Sequence, residues 1–299
     1  MTDSPLLKSE DLIEPPVLRA MRRSVVGLLE RRPGDARARV QLVRLHRALG
    51  DLEAAQEACT EYLRLHGAND EIRRFKYFLD EEPGAGSRVG IAGPAPFVRL
   101  ANVLSPADQA AVWSLLEGAS GALAPATVRW HGGEGVIGEI RHSLRMTCPE
   151  RALDRLLPAL RTAIEGRGLP EAFGLARPPS GSVESEVVCH MEGGHFGRHS
   201  DNAYGDSGRL LTCVYYLHRK PARFTGGDLL LHDAQSPEGP RSPIAFTRFA
   251  PDDNTALIFP ADVGHEVTGV RSGVNDPLEG RVSINIWFHG PRVPDAAPS

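Results

Sequence analysis

The sequence has no long hydrophobic run, no excess of basic charge and no paired cysteines. None of its 299 residues lies in a stretch approaching the roughly 18 consecutive apolar residues that a membrane span requires. The net charge of −4 offers no basic surface for nucleic acid or for an anionic membrane. Neither nucleic acid nor a membrane is therefore an expected partner.

The four cysteines are far apart and include no CxxC pair. This spacing argues against a zinc ribbon or a disulfide scaffold, so we expect all four thiols to be reduced and buried. The N-terminal residues, MTDSPLLKSEDLIEPP, have acids and prolines where a signal peptide needs a basic segment and an apolar one. These features predict a cytoplasmic protein.

The N-terminal part of the chain has apolar residues at helical spacing, interrupted at Gly50-Asp51. Two helices joined by such a tight turn form an antiparallel hairpin. This hairpin resembles a single tetratricopeptide-like unit, although a plain helical cap on the main domain fits the same pattern. We therefore expect a helical extension over residues 1–82.

Glycine and proline are concentrated at residues 83–96, which predicts a linker there and a second domain over residues 97–293. Helices are predicted after Ser105 and over residues 149–166. From about residue 183 the hydrophobic period changes from 3.6 to 2. Many short strands separated by turns indicate a β-sandwich or barrel with the helices outside it.

A candidate metal site begins at HFGRHSDN, where His199 and Asp201 are two residues apart. Residues i and i+2 of an extended strand point to the same face, so both side chains can reach one cation. His265 follows a later apolar strand, where a third ligand can converge. Two histidines and one carboxylate with open positions suit the Fe(II) of non-haem oxygenases, although zinc accepts a similar set.

The last strand, GRVSINIWF, places Arg281 and Ser283 on one face. A barrel interior accepts an arginine only with an anionic partner, because an unpaired buried charge is costly. A dicarboxylate co-substrate would supply that partner, and the hydroxyls of Thr212 and Tyr216 could point to the same carboxylate. The alternative is that Arg281 pairs with a local acid such as Asp262.

Five segments carry a resemblance to a known family: GHFGRHSDN, GRLLTCVYYLH, GGDLLLH, TALIFPADVGHEV and GRVSINIWF. Together with upstream PFVRLANVLSPADQ and IRHSLRM, they resemble the 2-oxoglutarate- and Fe(II)-dependent dioxygenases over residues 95–290. The resemblance is to the prolyl-4-hydroxylase-like branch, and RHSDN followed by TCVYYL is most similar to hypoxia-sensing prolyl hydroxylases. It implies an α+β fold with a double-stranded β-helix (jelly-roll or cupin-like) core and flanking helices.

Carried over residue by residue, the resemblance implies an iron site made of His199, Asp201 and His265. It implies that Arg281 binds the distal carboxylate of 2-oxoglutarate. The residues expected to help Arg281 are Thr212, Tyr216 and Ser283. The implied cofactors are Fe(II), the co-substrate 2-oxoglutarate, dioxygen and ascorbate.

The resemblance says less about the substrate. Many relatives have a tyrosine near the position where this chain has Cys189-His190. The candidate substrate contacts are Arg141, His190, His195 and Arg198. The expected reaction is hydroxylation of an unactivated C–H, with release of succinate and CO2, on a prolyl or other side chain of a peptide or protein. A free amino acid or small biosynthetic intermediate is the alternative substrate, and a non-catalytic cupin-like binding module is the alternative function.

Overall fold

The computed structural model describes residues 14–80, 93–130, 133–202, 208–234 and 243–291. Four helices form the N-terminal region, and three more lie between the first strands of the remainder. These helices are α1 (Pro15–Arg31), α2 (Ala36–Leu49), α3 (Leu52–His66), α4 (Asp70–Leu79), α5 (Pro106–Ala119), α6 (Glu150–Gly166) and α7 (Leu169–Ala172).

The predicted Gly-Asp turn joins α2 to α3. Gly50 ends α2 with φ of +80°, a left-handed conformation that favours glycine. At the other end of α2, the Asp35 carboxylate accepts a hydrogen bond from the backbone N–H of Ala38. The antiparallel helical hairpin is therefore confirmed, with a further helix on each side, whereas its tetratricopeptide relationship stays a prediction.

Sixteen strands are found in the described ranges, most of them short. They are β1 (Val98–Ala101), β2 (Ala124–Pro125), β3 (Val128–Trp130), β4 (Gly133–Gly135), β5 (Arg141–His142), β6 (Leu144–Thr147), β7 (Val183–His190), β8 (His195–His199), β9 (Arg209–Leu217), β10 (Phe224–Gly226), β11 (Leu229–His232), β12 (Phe246–Phe249), β13 (Thr255–Pro260), β14 (His265–Val267), β15 (Val270–Ser272) and β16 (Arg281–His289).

Two antiparallel sheets contain most of these strands. The larger has the order β1-β13-β9-β16-β7-β6-β2, and the smaller has the order β12-β11-β14-β8-β5. Along the chain these strands switch sheets at every step except between β11 and β12, which pair with each other: β7, β9, β13 and β16 lie in the larger sheet, and β8, β11, β12 and β14 lie in the smaller. This alternation is the double-stranded β-helix, so the predicted α+β fold with a jelly-roll core and flanking helices is confirmed.

The period-2 pattern of β16 separates two environments. Val282, Ile284 and Ile286 belong to an apolar cluster that also contains the buried faces of α5 and α6. Arg281 and Ser283 lie on the opposite face, which lines the interior of the jelly roll. One face of β16 thus packs in the apolar core behind the larger sheet, and the other contributes Arg281 and Ser283 to the barrel interior.

The N-terminal helices cover the outer face of the smaller sheet. Leu18 of α1 and Leu45 of α2 pack with Leu230 of β11 in a second apolar cluster. Leu231, the next residue along β11, pairs with His265 and faces the interior. Helices α1 and α2 therefore lie on the side of this sheet opposite His265.

The predicted division into residues 1–82 and 97–293 stays a prediction. Most of the predicted linker lies outside the described residues. The apolar cluster behind the larger sheet contains residues from both sides of the predicted boundary, and Phe78 of α4 and Phe249 of β12 both contact Phe97.

The four cysteines, Cys59, Cys148, Cys189 and Cys213, are all free and buried, as expected. Within the described ranges, no helix is both long enough and apolar enough to cross a bilayer.

Candidate metal and co-substrate site

Three metal-ligating side chains converge in the barrel interior. His199 ends β8 and pairs directly with His265, the first residue of β14. Asp201 lies two residues after His199. Its Oδ1 is 3.8 Å from Nε2 of His199, and its Oδ2 is 3.6 Å from Nε2 of His265. The three potential ligand atoms all lie within 4.8 Å of one another, so the set can bind one metal ion.

Backbone carbonyls orient both imidazoles toward this point. Nδ1 of His199 lies 2.9 Å from the carbonyl oxygen of Gly197, and Nδ1 of His265 lies 2.9 Å from that of Val263. Since a carbonyl can only accept, Nδ1 carries the proton in each ring and donates it. Nε2 is then unprotonated in both rings, which is the form that binds a metal.

The rings are also held by packing. The Phe196 ring stacks on the His199 imidazole at a centroid distance of 3.6 Å. Phe259 meets His265 edge to face at 4.9 Å. Burial, followed by the charge of His265, lowers the pKa of His199, which keeps its imidazole neutral and available as a ligand.

Asp201 is held in its ionised form. The Thr212 hydroxyl donates a 2.6 Å hydrogen bond to one of its oxygens. Burial alone would raise the pKa of Asp201, but the charges of His265 and His199 and the Thr212 hydrogen bond outweigh burial and lower it. This is the hydrogen bond that the Thr212 hydroxyl makes in the structure, and its expected contact with the co-substrate stays a prediction.

Arg281 is buried in the same interior, with 1% of its surface exposed. Its Nε donates to the carbonyl of Gly227 at 2.7 Å, and its Nη1 lies 3.3 Å from Nδ1 of His190. Its Nη2 has no hydrogen-bond partner among the described residues. In the same part of the chain no carboxylate lies within ion-pair distance of Arg281, so the alternative pairing with Asp262 is not found.

Two further buried donors near Arg281 also lack acceptors in the described ranges. The Tyr216 hydroxyl interacts with the Arg281 guanidinium, whose carbon lies 5.1 Å from the centre of the tyrosine ring, but no acceptor for its O–H is found in that part of the chain. Burial raises the pKa of Tyr216 to about 12, so the phenol keeps its proton. Nε2 of His190 is likewise without a partner, and because Nδ1 of that ring faces an Arg281 N–H, Nε2 carries the proton.

This donor set fits the anion that the sequence predicted. Buried polar groups in folded proteins almost always have partners, so three unpartnered donors around one guanidinium indicate an acceptor-rich ligand such as a carboxylate. The Ser283 hydroxyl donates to the Asn285 side chain at 3.2 Å. Its predicted contact with the co-substrate stays a prediction.

The four candidate substrate contacts lie in different surroundings. Arg141 is mostly buried, pairs with Glu186 at 2.9 Å and lies 4.7 Å from the centre of the Phe196 ring. His190 belongs to the group of donors around Arg281, and burial and the Arg281 charge keep its pKa well below the usual value. The substrate roles of both residues stay predictions.

The other two candidates, His195 and Arg198, lie on β8, the strand that ends at His199. Both ring nitrogens of His195 lie within hydrogen-bond distance of backbone carbonyls, those of Gly193 and Glu139. The Arg198 side chain lies against Gly264, where an added Cβ would come within 3.2 Å of it. Their substrate roles also stay predictions.

Residues 185–289 match the family model described as the 2OG-Fe(II) oxygenase superfamily. The match contains all three candidate metal ligands and Arg281. Over this segment the chain is similar to the 2OG-Fe(II) oxygenase superfamily.

The chain is also similar to curated relatives. The chain is 28% identical over 140 residues to an uncharacterized PKHD-type hydroxylase of Synechocystis, covering 44% of this chain and 46% of that protein. It is 24% identical over 151 residues to a PKHD-type hydroxylase of Prochlorococcus marinus, covering 49% of this chain and 62% of that one. The chain thus spans between about half and three-fifths of the length of these relatives.

Solved structures similar to this chain include two prolyl hydroxylases. A prolyl-4-hydroxylase of Pseudomonas putida has a TM-score of 0.47 at 21% identity, covering 65% of this chain and 93% of its own. A prolyl hydroxylase of Trichoplax adhaerens, solved with a peptide fragment, has a TM-score of 0.48 at 19% identity, covering 65% of this chain and 83% of its own.

How the fold supports the candidate ligands was not predicted from the sequence. The Phe196 stack on His199 and the carbonyls of Gly197 and Val263 are the missing contacts. Residues three apart on a regular strand point to opposite faces, and a register shift between β8 and β14 at this point brings the Phe196 and His199 rings together. Every residue has a backbone carbonyl, so the sequence does not indicate which carbonyl accepts a hydrogen bond from each imidazole.

Proposed function

We propose that this protein is an Fe(II)- and 2-oxoglutarate-dependent dioxygenase that hydroxylates an unactivated C–H and releases succinate and CO2. The observation that carries this proposal is a group of three buried donors without acceptors among the described residues, Nη2 of Arg281, the Tyr216 hydroxyl and Nε2 of His190, which we call the Arg281 pocket. This pocket shares the barrel interior with the His199, Asp201 and His265 cluster. The family match over residues 185–289 supports the same cofactors. The hydroxylase names of the curated relatives agree with this reaction class.

In this proposal His199, Asp201 and His265 hold the metal, and Arg281 with Tyr216 holds the distal carboxylate of 2-oxoglutarate. Bound iron supplies a redox centre at which dioxygen is activated while 2-oxoglutarate loses CO2. A protein metal centre with three ligands leaves positions for both co-substrates.

The chain's own residues prepare this reaction in two ways. Carbonyl bonds fix each imidazole in the metal-binding tautomer, and the Thr212 hydroxyl fixes the Asp201 carboxylate. Arg281 and Tyr216 are buried, so a carboxylate bound there is shielded from water and its bonds to them are strengthened. The ligand cluster and the carboxylate pocket therefore hold the two ends of one co-substrate in a defined orientation.

The substrate we propose is a prolyl or other side chain within a peptide or protein. This rests on the resemblance of RHSDN and TCVYYL to the hypoxia-sensing prolyl hydroxylases. The placement of α1 and α2 on the outer face of the smaller sheet does not add to it, because these helices lie across that sheet from His265. A requirement for ascorbate and a cytoplasmic location also stay predictions.

The reaction class is tested by measuring succinate. The full-length protein is loaded anaerobically with Fe(II) and 2-oxoglutarate, oxygen is added, and succinate is quantified for wild type, His199→Ala and His46→Ala. His46 lies on α2, is mostly buried and has Nδ1 3.7 Å from Asp51, so it is a matched histidine control away from the candidate ligands. We expect succinate from wild type and His46→Ala only. Equal succinate from His199→Ala contradicts the proposal, and 2-oxoglutarate binding without succinate in wild type indicates a non-catalytic binding module.

The substrate class is tested with matched compounds. Succinate release above the substrate-free rate is compared for proline-containing peptides, for the same peptides with alanine in place of proline, and for free proline. Stimulation by the proline peptides alone supports the proposal. Stimulation by free amino acids and not by peptides would replace it with the small-molecule alternative.

A further inference from the structure

The N-terminal helical hairpin is connected to the Arg281 pocket by a chain of hydrogen bonds. The carbonyl of Ala48, in the last turn of α2, accepts a 2.9 Å hydrogen bond from Nε of Arg248 on β12. Nη1 of the same arginine donates a 2.6 Å hydrogen bond to the carboxylate of Asp228. Arg248 therefore joins the end of a helix in the extension to the residue that follows the Gly226-Gly227 turn.

The Gly226-Gly227 turn is itself in contact with Arg281. Both glycines have positive φ, +73° and +71°. A Cβ on Gly227 would come within 2.5 Å of the Arg281 side chain, so only glycine allows this close approach. The Gly227 carbonyl accepts the Arg281 Nε hydrogen bond, so the turn provides the surface on which the guanidinium lies.

Asp228 is fixed from two sides. Its backbone N–H donates to the Thr268 hydroxyl at 2.9 Å, and its backbone carbonyl accepts from the Thr268 N–H at 2.9 Å. Arg248 holds the side chain. The carboxylate of Asp228 is close enough to raise the pKa of Arg281, although burial outweighs this effect, and it is not within ion-pair distance. An Asp228 side chain released by Arg248 would be an intramolecular competitor for the Arg281 guanidinium.

The α2–α3 turn leaves little room for Arg248 to move. A Cβ on Gly50 would lie 3.3 Å from the Arg248 carbonyl oxygen, and the Arg248 side chain is only 11% exposed. The Gly-Asp turn recognised in the sequence is thus packed directly on the arginine that holds Asp228.

We infer that Arg248 is a positioning residue for the Arg281 pocket, through which the helical extension sets the affinity for the dicarboxylate co-substrate. The inference rests on the proposed role of Arg281. It gives the extension a function inside the oxygenase, whether or not the same helices also bind a substrate.

The test measures the dissociation constant of 2-oxoglutarate by calorimetry on full-length, Co(II)-loaded protein. Arg248→Met keeps the side-chain length and removes both hydrogen bonds. The matched control is Arg47→Met, which breaks another buried contact between α2 and the smaller sheet, that of Arg47 with Asp233 and Thr247. We expect Arg248→Met to raise the 2-oxoglutarate dissociation constant about tenfold without changing that of Co(II), and Arg248→Lys to recover part of the loss.

The outcomes separate this inference from the proposed function. An equal loss of affinity in Arg248→Met and Arg47→Met would show only general loosening and would overturn it. Unchanged affinity in Arg248→Met, together with loss in Arg281→Leu, would overturn the inference and leave the proposed function standing. Unchanged affinity in Arg281→Leu would contradict the proposed function itself.

Discussion

Two arginines in this protein are equally buried, each with 1% of its surface exposed, but their surroundings differ. Arg47, between α2 and the smaller sheet, pairs with the Asp233 carboxylate, donates twice to the Thr247 hydroxyl and lies 4.5 Å from the centre of the Phe75 ring. Arg281 has a carbonyl and an imidazole and no carboxylate among the described residues. The chain itself supplies a counter-ion for Arg47, whereas no described residue supplies one for Arg281.

The presence or absence of a carboxylate partner distinguishes a buried arginine that stabilises the fold from one that binds a ligand. A buried charge is tolerated when it is paired and hydrogen-bonded. Arg47 meets that requirement with its own chain, so its role is to join the helical extension to the barrel. Arg281 has no carboxylate partner among the described residues, which is why we propose that a bound anion supplies one.

The largest effect is expected at Arg47. Arg47→Met leaves Asp233 buried without its cation, and breaking such a pair costs about 3–5 kcal/mol in the free energy of unfolding. Urea unfolding measures this loss. Arg22→Met, which breaks the partly exposed pair with Asp51, is the control and should cost less than about 1 kcal/mol. Equal losses in the two variants would contradict the structural role of Arg47.

The opposite behaviour is expected at Arg281. Arg281→Leu should weaken 2-oxoglutarate binding by about 2–5 kcal/mol, since a buried carboxylate would lose its charged partner. The free energy of unfolding of the ligand-free protein should change by no more than about 1 kcal/mol, because Arg281 loses no ion pair there. Calorimetry and urea unfolding measure the two quantities. A large loss of stability with intact binding would place Arg281 in the same class as Arg47.

A smaller effect sharpens the comparison at two neighbouring tyrosines. Tyr216→Phe removes a hydroxyl without a partner and should weaken 2-oxoglutarate binding by about 1 kcal/mol, with unchanged stability. Tyr215→Phe removes the 3.0 Å hydrogen bond to Asn254, so it should cost about 1 kcal/mol of stability with unchanged binding. Calorimetry measures the binding of 2-oxoglutarate, and urea unfolding measures the stability of each variant. A reversed pattern would show that the Tyr216 hydroxyl does not face the co-substrate.

The secondary-structure elements were predicted from the sequence better than the contacts between them. The alternation around Arg281 follows from strand geometry, which is local. The Gly50-Asp51 turn is equally local. These features were predicted because each depends on a few consecutive residues. Asp201 was correctly grouped with His199, but it lies in the turn after β8 and not in the extended strand that the prediction assumed.

The contacts that complete the site are long-range. Arg47 meets Thr247 across 200 positions of sequence, and Arg248 meets the carbonyl of Ala48 across the same separation. Which face of the smaller sheet α2 covers depends on the packing of Leu45 and Leu230, which no local pattern specifies. The hydrogen bond from the Thr212 hydroxyl to Asp201 was not predicted for a related reason: strand alternation gives the face of a side chain but not its partner on that face.

The central claim is that Arg281 binds the distal carboxylate of a 2-oxo dicarboxylic acid whose other end reaches the metal. The most direct measurement compares 2-oxoglutarate with 2-oxobutyrate, which lacks the distal carboxylate, by calorimetry on Co(II)-loaded wild type and Arg281→Leu. We expect wild type to bind 2-oxoglutarate much more tightly than 2-oxobutyrate, and Arg281→Leu to bind the two acids with similar affinity. The same preference in both proteins would contradict this claim.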